Sequence, residues 1–205
     1  MLWPTFARAW STERRWRPGC WLLAVTALAL ATAAPAQQRH PVEPELRQRL
    51  EEAVARADSF DNRFDAQVWL MDMSQRLEPL VPEPDERLRI LRQAHREARR
   101  ADLMPELVLA VIEVESGFNR FAISSAGARG LMQVMPFWLE EIGEPDANLF
   151  RVPTNLRFGT TILRYYLDME NGNRTRALAR YNGSVGETWY PRRVYRALDQ
   201  RWRPQ

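Results

Sequence analysis

PELVLAVIEVESGFNRFAISSAGARGLMQVMP, residues 105–136, decides how this chain is read. Leu107, Val108, Ala110, Val111, Ile112 and Val114 make its first part apolar almost all round, the pattern of a buried helix. Pro105 suits the first turn of that helix, where its missing N–H is not needed. The helix runs into one carboxylate, Glu115, followed by Ser116 and Gly117, and a turn-like Gly130-Leu131-Met132-Gln133 comes fifteen residues later. An ionised glutamate at the end of a buried helix is costly unless solvated or paired. Desolvation raises a carboxyl pKa and keeps the acid protonated near neutral pH, as a general acid requires. Glu113 lies two residues back, about 200° around the helix, so the two carboxylates point to different sides and Glu113 reads as structural.

Working outward, the chain reads as helix after helix. Pro44 to Ser59 carries apolar residues at helical spacing, and Asp61 to Leu80 does so again at Phe64, Val68, Leu70, Met71 and Leu77. Pro79, Pro82 and Pro84 then break the chain, because proline cannot donate within a helix. Asp85 to Arg100 is a further helix. Its arginines, among them Arg87, Arg92, Arg96, Arg99 and Arg100, interleave with Glu86, Glu97 and Asp102, the mark of a solvated, salt-bridged face. No stretch alternates convincingly as a strand does. The predicted class is all-α.

The first 36 residues have the order of an export signal. Arg8, Arg14, Arg15 and Arg17 precede an apolar run from Trp21 to Ala34, too short to span a bilayer comfortably, and Ala34-Pro35-Ala36 supplies small residues for cleavage. Residues 1–36 are therefore expected to be a cleavable signal peptide, 37–84 a helical N-terminal extension, and 85–205 the main domain. The chain has 29 basic and 26 acidic residues; four arginines and one acid fall in the signal, leaving 25 of each. The basic balance belongs to the signal and gives no argument for nucleic acid. The one cysteine, Cys20, also lies there, and His40 and His95 stand without cysteine partners, so no metal site is expected.

Three motifs together give this chain a resemblance to the lytic transglycosylase domain, a relative of goose-type lysozyme. They are Glu115-Ser116 with Phe118-Asn119, Gly127-Ala128-Arg129-Gly130-Leu131-Met132-Gln133-Val134-Met135-Pro136, and Ala177-Leu178-Ala179-Arg180-Tyr181-Asn182-Gly183-Ser184. Between the last two, Asn155-Leu156-Arg157-Phe158-Gly159 matches a helix-entry pattern of the same family. The resemblance covers roughly residues 88–195. It implies a lysozyme-like, all-α domain that cleaves peptidoglycan glycan strands between N-acetylmuramic acid and N-acetylglucosamine, leaving a 1,6-anhydromuramyl end.

The same resemblance assigns roles. Glu115 would be the single catalytic acid and base. Ser124, Gln133, Met135 and Tyr181 would line the substrate cleft, with Ser116, Gly130 and Asn182 in support. Tyr181 carries a hydroxyl suited to hydrogen-bonding Glu115 or the sugar. Among Phe137, Trp138, Trp189 and Tyr190, some are expected to stack on sugar rings and at least two to pack in the core. The motifs supply no second carboxylate; Asp146, Asp168 and Glu187 lie outside the matched positions. The motifs also depart from the family pattern: Arg180 stands where alanine is usual, Gly183-Ser184 replaces an Ala-Gly pair, Arg120 stands for proline and Ile162 for tyrosine. The expected cofactor set is empty, and the expected location is the periplasm or cell envelope. A monomer is expected, with partnership in a cell-envelope machine left open. Two alternatives stay beside this reading: a muramidase that uses water, and a non-catalytic glycan-binding scaffold.

Overall fold

The computed structural model describes residues 62–141 and 145–203. The signal at 1–36 and the helix expected over Pro44–Ser59 lie outside the described residues. Among the described residues the chain is helical, with isolated bridges joining Arg129 to Ile123 and to Val134 in place of any strand. Its elements are α1 (Arg63–Leu77), α2 (Pro84–Arg100), α3 (Pro105–Ser116), the short α4 (Phe137–Glu141), α5 (Val152–Met169), α6 (Arg174–Asn182) and α7 (Trp189–Ala197), closed by a π-helical turn over Leu198–Trp202.

Local chemistry sets the helix ends. Asn62 starts α1 by accepting from the Asp65 N–H at 2.8 Å, and Glu83 starts α2 by accepting from the N–H groups of Asp85 and Glu86. Each satisfies donors that the first helical turn leaves open. The helix α3 has Pro105 in its first turn and stops at Gly117, which takes the left-handed conformation with φ of 57°. Gly183 ends α6 in the same way, at φ of 81°.

The apolar reading of residues 107–114 holds: Leu107 through Ile112 are buried, and α3 is the central rod of the core. It packs against α2 on one side and against α7 and the π-helical turn on the other. Trp202, fully buried, lies beside Phe118 with ring centres 5.5 Å apart. The described part of the expected N-terminal extension shares this core. Ala66, Leu70, Met73 and Leu77 of α1 are buried with Leu91 and Ala94 of α2. Trp69 donates its indole N–H to Glu106 of α3 at 2.7 Å, and Arg76 donates to the Arg201 carbonyl near the C-terminal end, also at 2.7 Å.

The arginine face of α2 differs from expectation at Arg87. That residue is 2% exposed, and its guanidinium bonds the Ser74 hydroxyl and the carbonyls of Val81 and Pro82. It ties the proline corner to α1, which is why a charged group is tolerated there. Glu97 behaves likewise. It is fully buried and receives Arg100 from its own helix and Arg157 from α5, at 2.6 and 2.5 Å.

Burial pushes the Glu97 carboxyl up, but the hydrogen bonds and charges of Arg157 and Arg100 outweigh it and leave the pKa lowered. A lowered carboxylate pKa stabilises the fold above its unfolded value, and that contribution disappears as pH falls through the folded value. Replacing Glu97 by Ala is expected to cost about 2–3 kcal/mol, below the range for fully buried pairs because both arginines are partly exposed. Urea titration at pH 7 measures this loss, and the gap between parent and variant is expected to narrow below pH 4.5.

Candidate active site

The C-terminal end of α3 delivers Glu115 to a loop that is folded tightly upon itself. Ser116, next in sequence, donates its hydroxyl to the Leu131 carbonyl at 2.7 Å, so the helix end and the Gly130–Gln133 turn are joined directly. Ser116 also bonds the Ile112 carbonyl one turn back. The structure thus places Ser116 as a strut for the backbone around Glu115, not on the carboxyl itself.

Asn155, on α5, holds the other side of that turn. Its side chain is buried, accepts from the Met132 N–H at 2.8 Å and donates to the Arg129 and Leu149 carbonyls at 2.8 and 2.9 Å. A complete set of partners makes such a buried amide a rigid clamp. Gly130 has to be glycine for two reasons. Its φ is 75°, and a Cβ there would lie 2.3 Å from the Asn155 amide nitrogen and 2.5 Å from the Leu149 carbonyl. Gly159, one turn along α5, faces Met132 so closely that a Cβ would sit 2.5 Å from its sulfur.

Gln133 takes a left-handed backbone, with φ of 49°. Its amide nitrogen donates to the Gly130 and Ala122 carbonyls at 2.9 and 3.2 Å. Ser124 closes the neighbouring turn, its hydroxyl accepting from the Ala128 N–H at 3.1 Å while its carbonyl accepts from Gly127. Both residues, read from the sequence as sugar contacts, have internal hydrogen bonds that shape the loop. Met135 is partly exposed, two residues ahead of α4.

The opposite wall comes from α6 and α7. Tyr190 is 1% exposed and donates its hydroxyl to Glu115 Oε1 at 2.5 Å. The Asn182 amide approaches the same carboxyl, and Arg193 acts on it electrostatically. Tyr181 lies close enough to feel the charge of Glu115. Its hydroxyl, however, donates to the Met132 carbonyl at 2.7 Å, joining α6 to the loop. Burial and the neighbouring Glu115 push both tyrosine hydroxyls well above their ordinary range, so they remain neutral donors.

Burial dominates at Glu115 and raises its pKa, although Tyr190, Arg193 and Asn182 each favour the charged form. Glu113 goes the other way around the helix, as its spacing requires. It accepts from the Trp202 indole at 2.7 Å and pairs with Arg201 at 3.2 Å. Asp168 pairs with Arg164 on the surface of α5, and Asp146 and Glu187 are exposed.

Sequence reasoning gave Tyr181 a hydrogen bond to Glu115 or to the sugar and left Tyr190 among aromatics for packing or stacking. The structure gives the bond to Glu115 to Tyr190. A signal existed: Tyr190 lies at the start of a strongly two-sided helix, where a buried tyrosine hydroxyl needs a partner. The departures from the family motif also find a use. Arg180 pairs with Glu170 at the end of α5, as does Arg176, so the unusual arginine clamps α5 to α6.

Residues 93–201 match the family model for the transglycosylase SLT domain, just over half of the chain. The chain belongs to that family. It is 32% identical over 104 residues to a transglycosylase of Enterobacteria phage PRD1, covering 48% of this chain and 38% of that one. It is also 40% identical over 80 residues to membrane-bound lytic murein transglycosylase C of Actinobacillus pleuropneumoniae, covering 35% of this chain and 22% of that one. The chain therefore spans well under half the length of these relatives. Among solved structures, an inactive mutant of the lytic transglycosylase Slt from Pseudomonas aeruginosa matches at 25% identity with a TM-score of 0.43, covering 72% of this chain and 31% of that one.

Asn155→Ala removes three buried hydrogen bonds at once and leaves their partners unpaired. A destabilisation of about 2–4 kcal/mol is expected, read by chemical denaturation. Gly130→Ala is expected to be at least as damaging, because strain and overlap act together.

Proposed function

We propose that this protein is a peptidoglycan lytic transglycosylase in which Glu115 acts alone as acid and then base. One observation carries the reading: a carboxyl whose pKa burial raises, at the end of an apolar helix joined to the motif loop by Ser116, and bonded by Tyr190. Membership of the transglycosylase SLT family supports it.

Protonated Glu115 gives its proton to the glycosidic oxygen between N-acetylmuramic acid and N-acetylglucosamine, and the C1–O bond breaks. The 2-acetamido group of the sugar shares the positive charge that develops at C1, in place of a second carboxylate. Glu115, now ionised, takes the proton of the muramyl C6 hydroxyl as that oxygen attacks C1. A 1,6-anhydro ring closes, no water is consumed, and the acid returns to its starting state. Tyr190 and Asn182 stabilise the ionised intermediate form, while burial restores the protonated one. Ser116, Gly130, Gln133 and Ser124 contribute by fixing the loop that frames the sugar, with Met135 and Tyr181 on its walls. The murein-cleaving relatives and the N-terminal signal pattern support export to the periplasm or cell envelope, where the protein acts as a monomer on glycan strands.

Mass spectrometry of sacculi digested by the protein is expected to give 1,6-anhydro muropeptides. Reducing-end muropeptides alone would instead make it a muramidase. Glu115→Gln is expected to lose about 100-fold or more in release of soluble muropeptides, the low end of what a positioned acid contributes. Full activity in that variant would overturn the assignment of Glu115, and only an absence of release by the parent protein itself would leave a glycan-binding scaffold.

The pH dependence follows from the raised pKa. Activity requires the protonated acid, so it is expected to fall as pH rises through a value above 4.5. Tyr190→Phe removes a bond that favours the charged form, so that fall is expected to move to still higher pH. A raised carboxyl pKa also means that the parent loses stability as pH rises from 4.5 through the folded value. Glu115→Gln escapes this cost, and its Tm at pH 7 is expected to equal or exceed the parent's, with the advantage gone below pH 4.5.

A further inference from the structure

The first turns of α7 place three different chemistries side by side. Tyr190 turns inward to Glu115. Trp189 is 48% exposed, its ring edge-on to Tyr190 with centres 5.9 Å apart. Arg193 is exposed one turn further on. On an ideal helix Arg193 falls about 40° from Trp189 and about 60° from Tyr190, within the spacing at which side chains three and four apart become neighbours. An open aromatic plate and a cation thus lie next to each other, at the edge of the site that holds the acid.

Of the α7 arginines Arg192, Arg193 and Arg196, which form no ion pair with any described residue, Arg193 is the one whose charge reaches Glu115. Arg76, Arg87, Arg100, Arg157, Arg164, Arg176, Arg180, Arg201 and Arg203 all pair with carboxylates of the described residues. Arg193 forms no ion pair with any described residue, and its charge reaches Glu115, whose pKa burial raises. A ligand that brings an anion gives the guanidinium a partner. Tryptophan faces stack on the apolar faces of sugar rings, and a guanidinium offers a forked pair of donors that fits a carboxylate.

Resting on the transglycosylase reading for the nature of the polymer, we propose that Trp189 and Arg193 form a subsite for an acidic sugar, the tryptophan stacking on the ring and the arginine taking the ring's carboxylate substituent. In peptidoglycan that substituent is the lactyl group of muramic acid or the stem peptide attached to it. Neutral chitin-like strands lack it. Binding of the carboxylate also offsets the charge of Arg193, so the same contact that selects the substrate relieves an influence opposing protonation of Glu115.

The test has a binding arm and a turnover arm. Calorimetry on Glu115→Gln uses a soluble muramyl disaccharide with a free lactyl carboxylate, its methyl amide, and an N-acetylglucosamine oligomer of equal length. The free acid is expected to bind roughly fivefold to tenfold more tightly than the amide, the scale of one partly exposed charge-assisted contact. Adding Arg193→Gln is expected to abolish that difference, and Arg193→Lys to restore part of it. Trp189→Ala is expected to weaken all three ligands alike. In turnover, Arg193→Gln is expected to raise KM on native sacculi and to match the parent on sacculi whose carboxyls have been amidated. Equal response of parent and Arg193→Gln to amidation, in binding and in turnover, would overturn the subsite. If the parent released no muropeptide while the charge-dependent binding persisted, the enzymatic reading would fall and the subsite would stand.

Discussion

A helix buried over most of its length has little solvent to offer its carboxylates, so each meets an arranged donor. That constraint organises the whole molecule. Helix α3 carries Glu106, Glu113 and Glu115, and each is met by an aromatic side chain from a distant part of the chain: Trp69, Trp202 and Tyr190 respectively. An indole or phenol buries a large apolar body while presenting one polar tip. The core therefore stays apolar and the acids stay bonded. The three donors come from α1, the π-helical turn and α7, so satisfying one helix draws both ends of the described chain around it.

The three acids differ in what else reaches them. Glu113 adds an ion pair with Arg201 and serves as a structural anchor. Glu115 has no such pair, and burial prevails over the groups that favour its charge. The difference between this strut and the proposed proton donor is one arginine more or less at contact distance. Around Glu115 the rigidity is supplied from outside: Ser116 and Tyr181 bond the loop backbone, and Asn155 clamps it from beneath. An acid that has to be aimed is held best by a frame whose own hydrogen bonds are complete.

Much of this was legible in the sequence where the signal is local. The apolar run from Leu107 to Val114 gave the central helix, Pro105 and Gly117 gave its ends, and the 200° separation of Glu113 from Glu115 correctly sent them to different partners. The proline corner before α2 was visible too. In the described helix ahead of it the existence of a helix was legible but its inner face was not: of Phe64, Val68, Leu70, Met71 and Leu77 only Leu70 and Leu77 are buried, and Ala66 and Met73 complete the face against α2. What periodicity does not carry is the identity of a partner far along the chain. Arg87 looked like its solvated neighbours because nothing near it announces the carbonyls of Val81 and Pro82 as acceptors. Gln133 and Ser124 have side chains suited to a sugar, yet the loop's own backbone claims hydrogen bonds from both. Tyr181 and Tyr190 are chemically alike, and only the packing of α6 and α7 decides which hydroxyl reaches the acid.

The bare spot at Gly159 has a consequence of another kind. Its missing side chain is the socket for Met132, in the loop that frames the acid. Two positions in separate elements therefore share one volume, and neither is free to drift alone. A bulkier residue at the socket demands a smaller one in the loop within the same lineage, so ancestry at these sites is inherited as a pair.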